Sequence, residues 1–398
     1  MNNNKNYDFV IIGAGIIGLT VAKNLQQKYS NSKILVLEKE SAVALHASGR
    51  NSGVLHAGLY YAQDSLKSKF CISGSKLLTQ YCHKNNITLN KCGKVVVVCN
   101  KEDLQELQLL YKKALDNGAN IQLIDEEELN FIEPFAKTYK QAIFSPDSSS
   151  FDGKKICLTL QKELEANKVD FSFNTKYING NNNFINTSNG VISFGVLINC
   201  AGMYADKIAI NYNAIDDHIL IPIKGVFLNV SLNLGQLKKH IYRVPDKNLK
   251  LVGVHFSPDA YGNVKLGPTA IPCLSRENYQ WLSNLKFNEI KEVLLSEFKL
   301  FLHNKDSFRT QLFEEIKKQT KKGLIKYGSN LVKNINQFQF TNWNTPGIQP
   351  KLYNTKTQKL INDFVIKKQG NTLHIINSVS PAFTASFAFS KYIVDTYL

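Results

Sequence analysis

Arginine is scarce in this chain of 398 residues. Only four of its 48 basic side chains are arginine (Arg50, Arg243, Arg276 and Arg309), and the other 44 are lysine. Against 32 acidic residues this leaves a net charge of +16. Nucleic-acid sites exploit the bidentate guanidinium fork, yet no arginine cluster and no basic–aromatic stripe occurs. The charge therefore reads as a lysine- and asparagine-rich composition. Weak attraction of anionic ligands or lipid is its remaining consequence. Long apolar runs are missing too. None reaches the roughly 18 residues of a membrane span, and the longest, Phe9–Leu19, is interrupted by three glycines. The polar start, Met1–Asn6, has neither a signal-peptide core nor an Arg-rich transit helix, so a cytoplasmic location is expected, with room for peripheral contact at a membrane. The seven cysteines are odd in number and include no C-x-x-C pair. That argues against a disulfide or zinc framework, and no metal is expected.

What is present is an ordinary globular composition, 43% hydrophobic and 20% charged, at a length where two domains are the default. Tyr7–Ile12 reads as a buried strand, Ile16–Tyr29 as a helix and Lys33–Leu37 as a second buried strand, the β-α-β opening of a doubly wound sheet. Asp64 or Ser65 caps a helix to about Tyr81. Lys94–Cys99 reads as a strand, Lys101–Asn117 as a helix closed by Gly118, and Gly153–Asn167 as another helix. Asn179-Gly180 and Asn189-Gly190 are hairpin signals before a strand at Gly195–Asn199. From about residue 212 the pattern changes to alternating strands (Val226–Val230, Leu249–His255, Gly262–Leu266), followed by helices between about 286 and 322. A strand at Thr372–Ile376 and a helix from about Ala382 close the chain. The expected fold class is α/β: a Rossmann-like nucleotide domain interleaved with an α+β domain on an antiparallel sheet. The nucleotide domain is expected at 1–84, 146–211 and 341–398, and the substrate domain at 85–145 and 212–340.

Gly13-Ala14-Gly15-Ile16-Ile17-Gly18 fits G-x-G-x-x-G between a strand and a helix. Gly13 permits the tight turn, Gly15 lets backbone approach a pyrophosphate, and Gly18 lets helix and strand pack. The helix N-terminus at Ile16 offers N–H groups to phosphate. Glu38, with Lys39 beside it, ends the next strand where a ribose hydroxyl would be accepted. The N-terminal position of the loop and the lack of a second fingerprint lean towards FAD over NAD.

The stretch Ser48–Tyr61 is more specific. Ser48, Arg50, Asn51 and Ser52 supply donors suited to flavin phosphate and ring edges, and Gly53 and Gly58 would let backbone pass a flat ring. Its core, Asn51-Ser-Gly-Val-Leu-His56-Ala-Gly-Leu-Tyr-Tyr61, resembles the N-S-G-V-I-H-A-G-x-Y-Y of the L-2-hydroxyglutarate oxidase/dehydrogenase group within the D-amino-acid-oxidase-like flavoproteins. Asn199-Cys-Ala-Gly202, Pro222-Ile-Lys-Gly225, Gly253-Val-His255, Gly267-Pro-Thr-Ala270, Gly347-Ile-Gln-Pro-Lys351 and Ser380-Pro-Ala-Phe-Thr-Ala-Ser386 support it, and the resemblance covers nearly the whole chain. Ala201 and Gly202 would make a second close backbone approach to the cofactor. The helix opened by Ser380-Pro381 would aim the N–H groups of Phe383 and Thr384 at the flavin's N1/O2 edge.

The resemblance implies FAD as cofactor and oxidation of an L-2-hydroxy acid, 2-hydroxyglutarate first among candidates, to the 2-keto acid by hydride transfer to flavin N5. His56 and His255 are the candidate catalytic residues. Tyr60, Tyr61, Lys224, Gln349 and Lys351 are candidate substrate contacts. Gln349 departs from the family, which often has an arginine there to pair with a substrate carboxylate. That load would pass to Lys224, Lys351 or one of Arg243, Arg276 and Arg309. The alternative is an amine or amino-acid oxidase of the glycine, sarcosine or proline type. The sequence leaves open which histidine is the base and whether oxygen or a quinone reoxidises the enzyme.

Overall fold

The computed structural model of the chain describes residues 5–232, 237–245, 253–280, 283–304 and 307–398. Two compact units interleave along it. One comprises Met1–Asn51, Gly153–Pro222 and Gln349–Leu398, and the other Ser52–Asp152 and Ile223–Ile348.

The first unit is built on β1 (Lys5–Ile12), α1 (Ile16–Lys28) and β2 (Ile34–Leu37). Strand β1 pairs in parallel with β2 on one side and with Gly190–Asn199 on the other, and Asp170–Ser172 extends the sheet beyond β2. Thr372–Asn377 joins in parallel beside Gly190–Asn199. Parallel strands flanked by helices need apolar residues on both faces. Ile34–Leu37 is accordingly apolar and buried at every position, and Thr372–Asn377 is buried throughout with its polar Thr372, His374 and Asn377 side chains hydrogen-bonded. Helix α1 packs on Gly153–Ala166 and on the last helix, Ala382–Tyr397, where Thr20 Oγ1 and Ser390 Oγ meet at 2.6 Å. This is the expected Rossmann-like layer.

The second unit is an eight-stranded sheet in the order Phe338–Trp343, Leu228–Leu232, Val264–Gly267, His255–Pro258, His240–Arg243, Lys94–Val97, Gln141–Ser145, Gln122–Asp125. The described pairings are antiparallel except for His240–Arg243 with Lys94–Val97, which run parallel. Side chains alternate across a strand. On one face Val95, Val97, Ile241, Phe256 and Leu266 enter a single apolar core. The opposite face carries Lys94, Val96, His240, Tyr242 and His255. Which of these two faces each residue joins follows from register alone, since Lys94 pairs with His240 and Tyr242 with His255.

Several expected boundaries move. The first break between units falls at Asn51/Ser52, not after residue 84. Val54–Leu55 pairs with Ser149–Ser150, and the helix Leu66–Lys84 is tied to the same unit by Ser68 Oγ donating to Asn117 Oδ1 at 3.0 Å. Ser65 caps that helix, its hydroxyl accepting from Ser68 N at 3.1 Å. The turn expected at Asn179-Gly180 lies further on. Asn181 Oδ1 accepts from the N–H groups of Asn183 and Phe184, a side-chain turn that keeps Gly180 inside the strand Tyr177–Gly180. At Asn189-Gly190 the reading matches, with Gly190 at φ +115. The strand expected from Val226 starts at Leu228, because Val226 exchanges bonds with Thr269 instead. Of the expected strand Leu249–His255, residues 249–252 lie outside the described residues, and the described strand is His255–Pro258. Among the described residues no helix is long and apolar enough to cross a membrane.

Candidate active site

In the first unit the glycine-rich loop is drawn tight by backbone contact. Gly13 stands at φ +105, and a Cβ there would meet the carbonyl oxygen of Cys200 at 2.5 Å. A Cβ on Gly18 would lie 1.9 Å from the Gly13 carbonyl oxygen. Gly15 ends the loop in extended conformation and is the N-cap of α1. Glu38 binds the loop itself: one carboxylate oxygen accepts from Ala14 N at 2.9 Å and the other from Glu40 N at 3.0 Å. Ser48 Oγ accepts from Ile16 N at 2.9 Å, so it caps α1 at the position assigned above to phosphate. Its hydroxyl retains a proton to donate.

The remaining nucleotide-side residues are placed as follows. Lys39 pairs with Glu40, lies 3.0 Å from His46 Nε2 and covers the Tyr204 ring. Arg50 Nε donates to Leu45 O, and Asn51 Nδ2 donates to the carbonyls of Ala47 and Ser48. These side chains hold the 44–51 loop in shape. Gly153, not singled out in the sequence, is where this loop meets a helix: its Cβ would lie 2.5 Å from Ser48 O. Ala201 N donates to Asn199 Oδ1, and Gly202 at φ +55 has no atom within 4 Å of a Cβ position. Exposed Ser380 precedes the last helix, whose first turn contains Phe383 and buried Thr384. A glycine loop opening onto a helix N-terminus with no acidic residue in its first turn suits a pyrophosphate. The open, positive-φ Gly202 suits a closely approaching planar group. These residues fit a dinucleotide.

Two glycines of the His56 stretch work differently from the expectation. Gly53 (φ +70) exchanges contact with Phe151, whose N–H donates to Gly53 O at 2.8 Å and whose carbonyl a Cβ would approach to 2.7 Å. Gly58 (φ +89) packs against Ile72. Both serve packing inside the second unit, Gly53 against the Phe151 backbone and Gly58 against the Ile72 side chain. Ser52 precedes Gly53 on the same half-buried loop.

On the polar face of the second unit's sheet, Tyr242 is the hub. Its ring stacks on His255 at 3.9 Å, lies 6.5 Å from the Tyr60 ring and has the Lys94 ammonium 4.3 Å from its centre. The same ammonium is 5.3 Å from the Tyr60 ring. His255 Nδ1 lies 2.9 Å from Gly253 O. A carbonyl only accepts, so Nδ1 carries the proton and Nε2 presents its lone pair. Burial pushes the His255 pKa down to about 3, with Lys94 and Lys265 adding to the depression. Burial also drives His56 well below its ordinary value, helped by the charges of Lys94, His255 and Lys67. Both imidazoles are neutral at physiological pH. His240 is spent on structure. Ser150 Oγ donates to Pro258 O and so accepts from His240 Nε2, while Ser257 Oγ donates to Nδ1.

The structure therefore gathers Tyr60 and His255 about Tyr242, with His56 near enough to feel the Lys94 charge, and burial raises the Tyr61 phenol next in the chain to Tyr60. Lys224 Nζ instead donates to Asn278 O at 3.2 Å. Gln349 and Lys351 belong to the other unit, on the strand Gly347–Asn354, where burial lowers Lys351 to about 8. The arginines are engaged elsewhere. Arg243 forks onto Asp103 at 3.1 and 3.0 Å, Arg276 meets Glu292 at 3.4 Å, and Arg309 NH2 donates to Leu302 O. Sequence reasoning missed Lys94 and Tyr242. The available signal for Lys94 was a charge heading the run Lys-Val-Val-Val-Val, where a central strand buries everything.

A histidine depressed by burial has a definite acid signature. The unfolded chain takes up a proton at the ordinary value of 6.5 and the native His255 only near 3, so stability falls as pH drops through that window. His255→Gln should flatten this slope in thermal melts between neutral and acid pH. An unchanged slope would reject the buried neutral state.

A Rossmann-like unit with a G-x-G-x-x-G loop, in one chain with a sheet bearing a buried histidine–lysine–tyrosine face, defines a dinucleotide-dependent oxidoreductase. Comparison narrows the class: residues 8–396 match the family of FAD dependent oxidoreductases, and the chain belongs to that family. It is 33% identical over 396 residues to L-2-hydroxyglutarate dehydrogenase of Indibacter alkaliphilus, covering 98% of both chains. It is 32% identical over 414 residues to the mitochondrial L-2-hydroxyglutarate dehydrogenase of Dictyostelium discoideum, covering 98% of this chain and 92% of that one. Among solved structures, L-alpha-glycerophosphate oxidase from Mycoplasma pneumoniae, with FAD bound, superimposes with TM-score 0.76 at 24% identity, over 98% of this chain and 94% of that one. Glycine oxidase from Geobacillus kaustophilus gives 0.73 at 15% identity, with the same coverage.

Proposed function

We propose that this FAD-dependent enzyme oxidises an L-2-hydroxy acid, L-2-hydroxyglutarate foremost, to the 2-keto acid. The observation that carries the reading is His255: neutral, with its tautomer set by Gly253 O, and presenting a buried Nε2 lone pair that has no hydrogen-bond partner among the described residues. A hydroxyl substrate needs such an acceptor. His255 Nε2 takes the hydroxyl proton as the carbonyl forms at C2, and neutral His56 polarises the same group. Bound FAD supplies the acceptor for the hydride leaving C2. Gly13, Gly15, Ile16, Gly18 and Glu38 would hold its adenosine diphosphate half with Lys39, Ser48, Arg50 and Asn51 beside it, and Ala201, Gly202, Ser380, Phe383 and Thr384 would border the flavin half. Tyr60 and Tyr61 contact substrate. Lys224, Gln349 and Lys351 are the further candidates for a second carboxylate. The names of the relatives support the choice of substrate. The chain's lysine-rich charge suits a dicarboxylate and leaves room for peripheral membrane contact, with oxygen or quinone as final acceptor.

Anaerobic mixing tests the reading. L-2-hydroxyglutarate should bleach the flavin, and glycine, sarcosine, proline and glycerol 3-phosphate should not. Bleaching by an amino acid alone would replace it with an amino-acid oxidase.

A further inference from the structure

Among the described residues Lys94 is a cation without a counter-ion. It is fully buried on a strand flanked on both sides, pairing with His240 and with Ser145. Nζ has no hydrogen-bond partner among the described residues. The same holds for Tyr60 Oη and His255 Nε2. Three orphaned polar atoms thus gather round one ring, that of Tyr242: an ammonium, a phenol and an imidazole lone pair. Burying such groups unsatisfied is costly, and a cation most of all. The aromatic faces of Tyr242 and Tyr60 supply only part of the compensation.

The charges around Lys94 do not supply an anion either. From its own strand's approach comes Cys92, and from the helix Leu66–Lys84 comes Cys71. Burial raises both thiols, Cys71 to about 12. From the neighbouring strands come His240, Tyr242 and His255, and from the loop His56 and Tyr60. The histidines are depressed and the phenols raised, so each is neutral at physiological pH.

We propose that Lys94, with the Tyr60 hydroxyl, receives the carboxylate adjoining the substrate's reacting carbon, while that carbon's hydroxyl donates to His255 Nε2. The chemistry matches atom for atom. A carboxylate only accepts, and Lys94 and Tyr60 offer donors. A hydroxyl can donate, and His255 accepts. The inference rests on the hydroxy-acid reading and adds the residue that gives it an acid rather than a plain alcohol. It also accounts for anion binding by an arginine-poor chain, since Arg243 and Arg276 of this unit are paired with Asp103 and Glu292. The anion has a second effect. Lys94 depresses His56 and His255, so a carboxylate beside it lifts that depression and makes His255 a better proton acceptor once substrate is bound.

The test uses the FAD-loaded enzyme and two unreactive probes, pyruvate and 2-oxoglutarate, titrated by the change they cause in the flavin spectrum. Lys94→Met should raise the Kd of both by roughly 10- to 100-fold, the range for a lost charge-assisted hydrogen bond. Lys94→Arg should retain most of the affinity. In the wild-type enzyme probe affinity should fall as pH passes about 8, where burial places the free lysine, and in Lys94→Arg this decline should vanish. The wild-type titration stands even if Lys94→Met does not fold. Unchanged Kd in Lys94→Met, a flat wild-type profile, or a variant that loses FAD instead of probe would each overturn the proposal. So would a wild-type enzyme that binds neither probe. A wild-type enzyme that binds both through Lys94 but is not bleached by L-2-hydroxyglutarate would overturn the hydroxy-acid reading alone.

Discussion

Replacing His255 by alanine is expected to slow anaerobic flavin reduction by L-2-hydroxyglutarate by about 10²–10⁴-fold, with FAD still bound. The reasoning is geometric before it is electrostatic. Gly253 O fixes the proton on Nδ1 at 2.9 Å, and stacking on Tyr242 at 3.9 Å fixes the ring plane. Nε2 is then the one imidazole atom left to accept a proton. Alanine removes that acceptor and leaves the first unit's nucleotide loop untouched. His255→Gln separates packing from proton transfer, because it fills similar space without a basic nitrogen. His56→Ala should fall in the same range. If both alanine variants reduce flavin at the wild-type rate, neither histidine acts on the substrate and the proposed function loses its base. Equal loss in both, with Kd for 2-oxoglutarate little changed, marks interactions made chiefly in the transition state.

The second large effect is expected at Gly18. A methyl there would sit 1.9 Å from the carbonyl oxygen of Gly13, and the next atom it meets is the carbon of the same carbonyl at 3.2 Å. Neither is the end of a flexible side chain, so backbone must move. The moving part is the loop that carries Gly13 against Cys200 O, Ala14 N on Glu38 and the N-terminus of α1. Gly18→Ala should therefore yield protein that loses its flavin absorbance on gel filtration, with stability lowered by about 1–3 kcal/mol or more from overpacking. A yellow, normally stable Gly18→Ala protein would show that helix and loop are not in the contact described. Ser48→Ala is the milder companion, because it removes only the cap that accepts from Ile16 N.

Much of the nucleotide half was legible in the chain. Apolar runs with terminal glycines located β1, α1 and β2 within one or two residues. Local chemistry decides those elements: a short strand buried on both faces, as Ile34–Leu37 is, favours apolar residues, and the φ of +105 at Gly13 favours glycine. The hairpin at Asn189-Gly190 was legible for the same reason. Asn179-Gly180 misled because another local signal, Asn181 accepting from Asn183 and Phe184, captured the turn. Reading a glycine as room for a ligand was weaker ground. Gly53 and Gly58 have positive φ as that reading requires, yet what they approach is Phe151 O and Ile72.

The sequence by itself determined the β-α-β opening of the Rossmann-like unit, the cofactor class and the histidine-bearing stretch, because each depends on residues close together along the chain. Tertiary structure decided the rest. Lys94, Tyr242 and His255 come from three strands separated by more than a hundred residues in one case, and only sheet register sets them on one face. The same pairing buries Lys94 with no counter-charge among the described residues, turning one of 44 lysines into a candidate anion receptor. Tertiary packing also engages Arg243 with Asp103 and Arg276 with Glu292, pairs that nothing in the linear sequence indicates. Periodicity predicts which side of a strand a residue faces, but the identity of its neighbours depends on long-range pairing, and the charge state of a buried group depends on those neighbours.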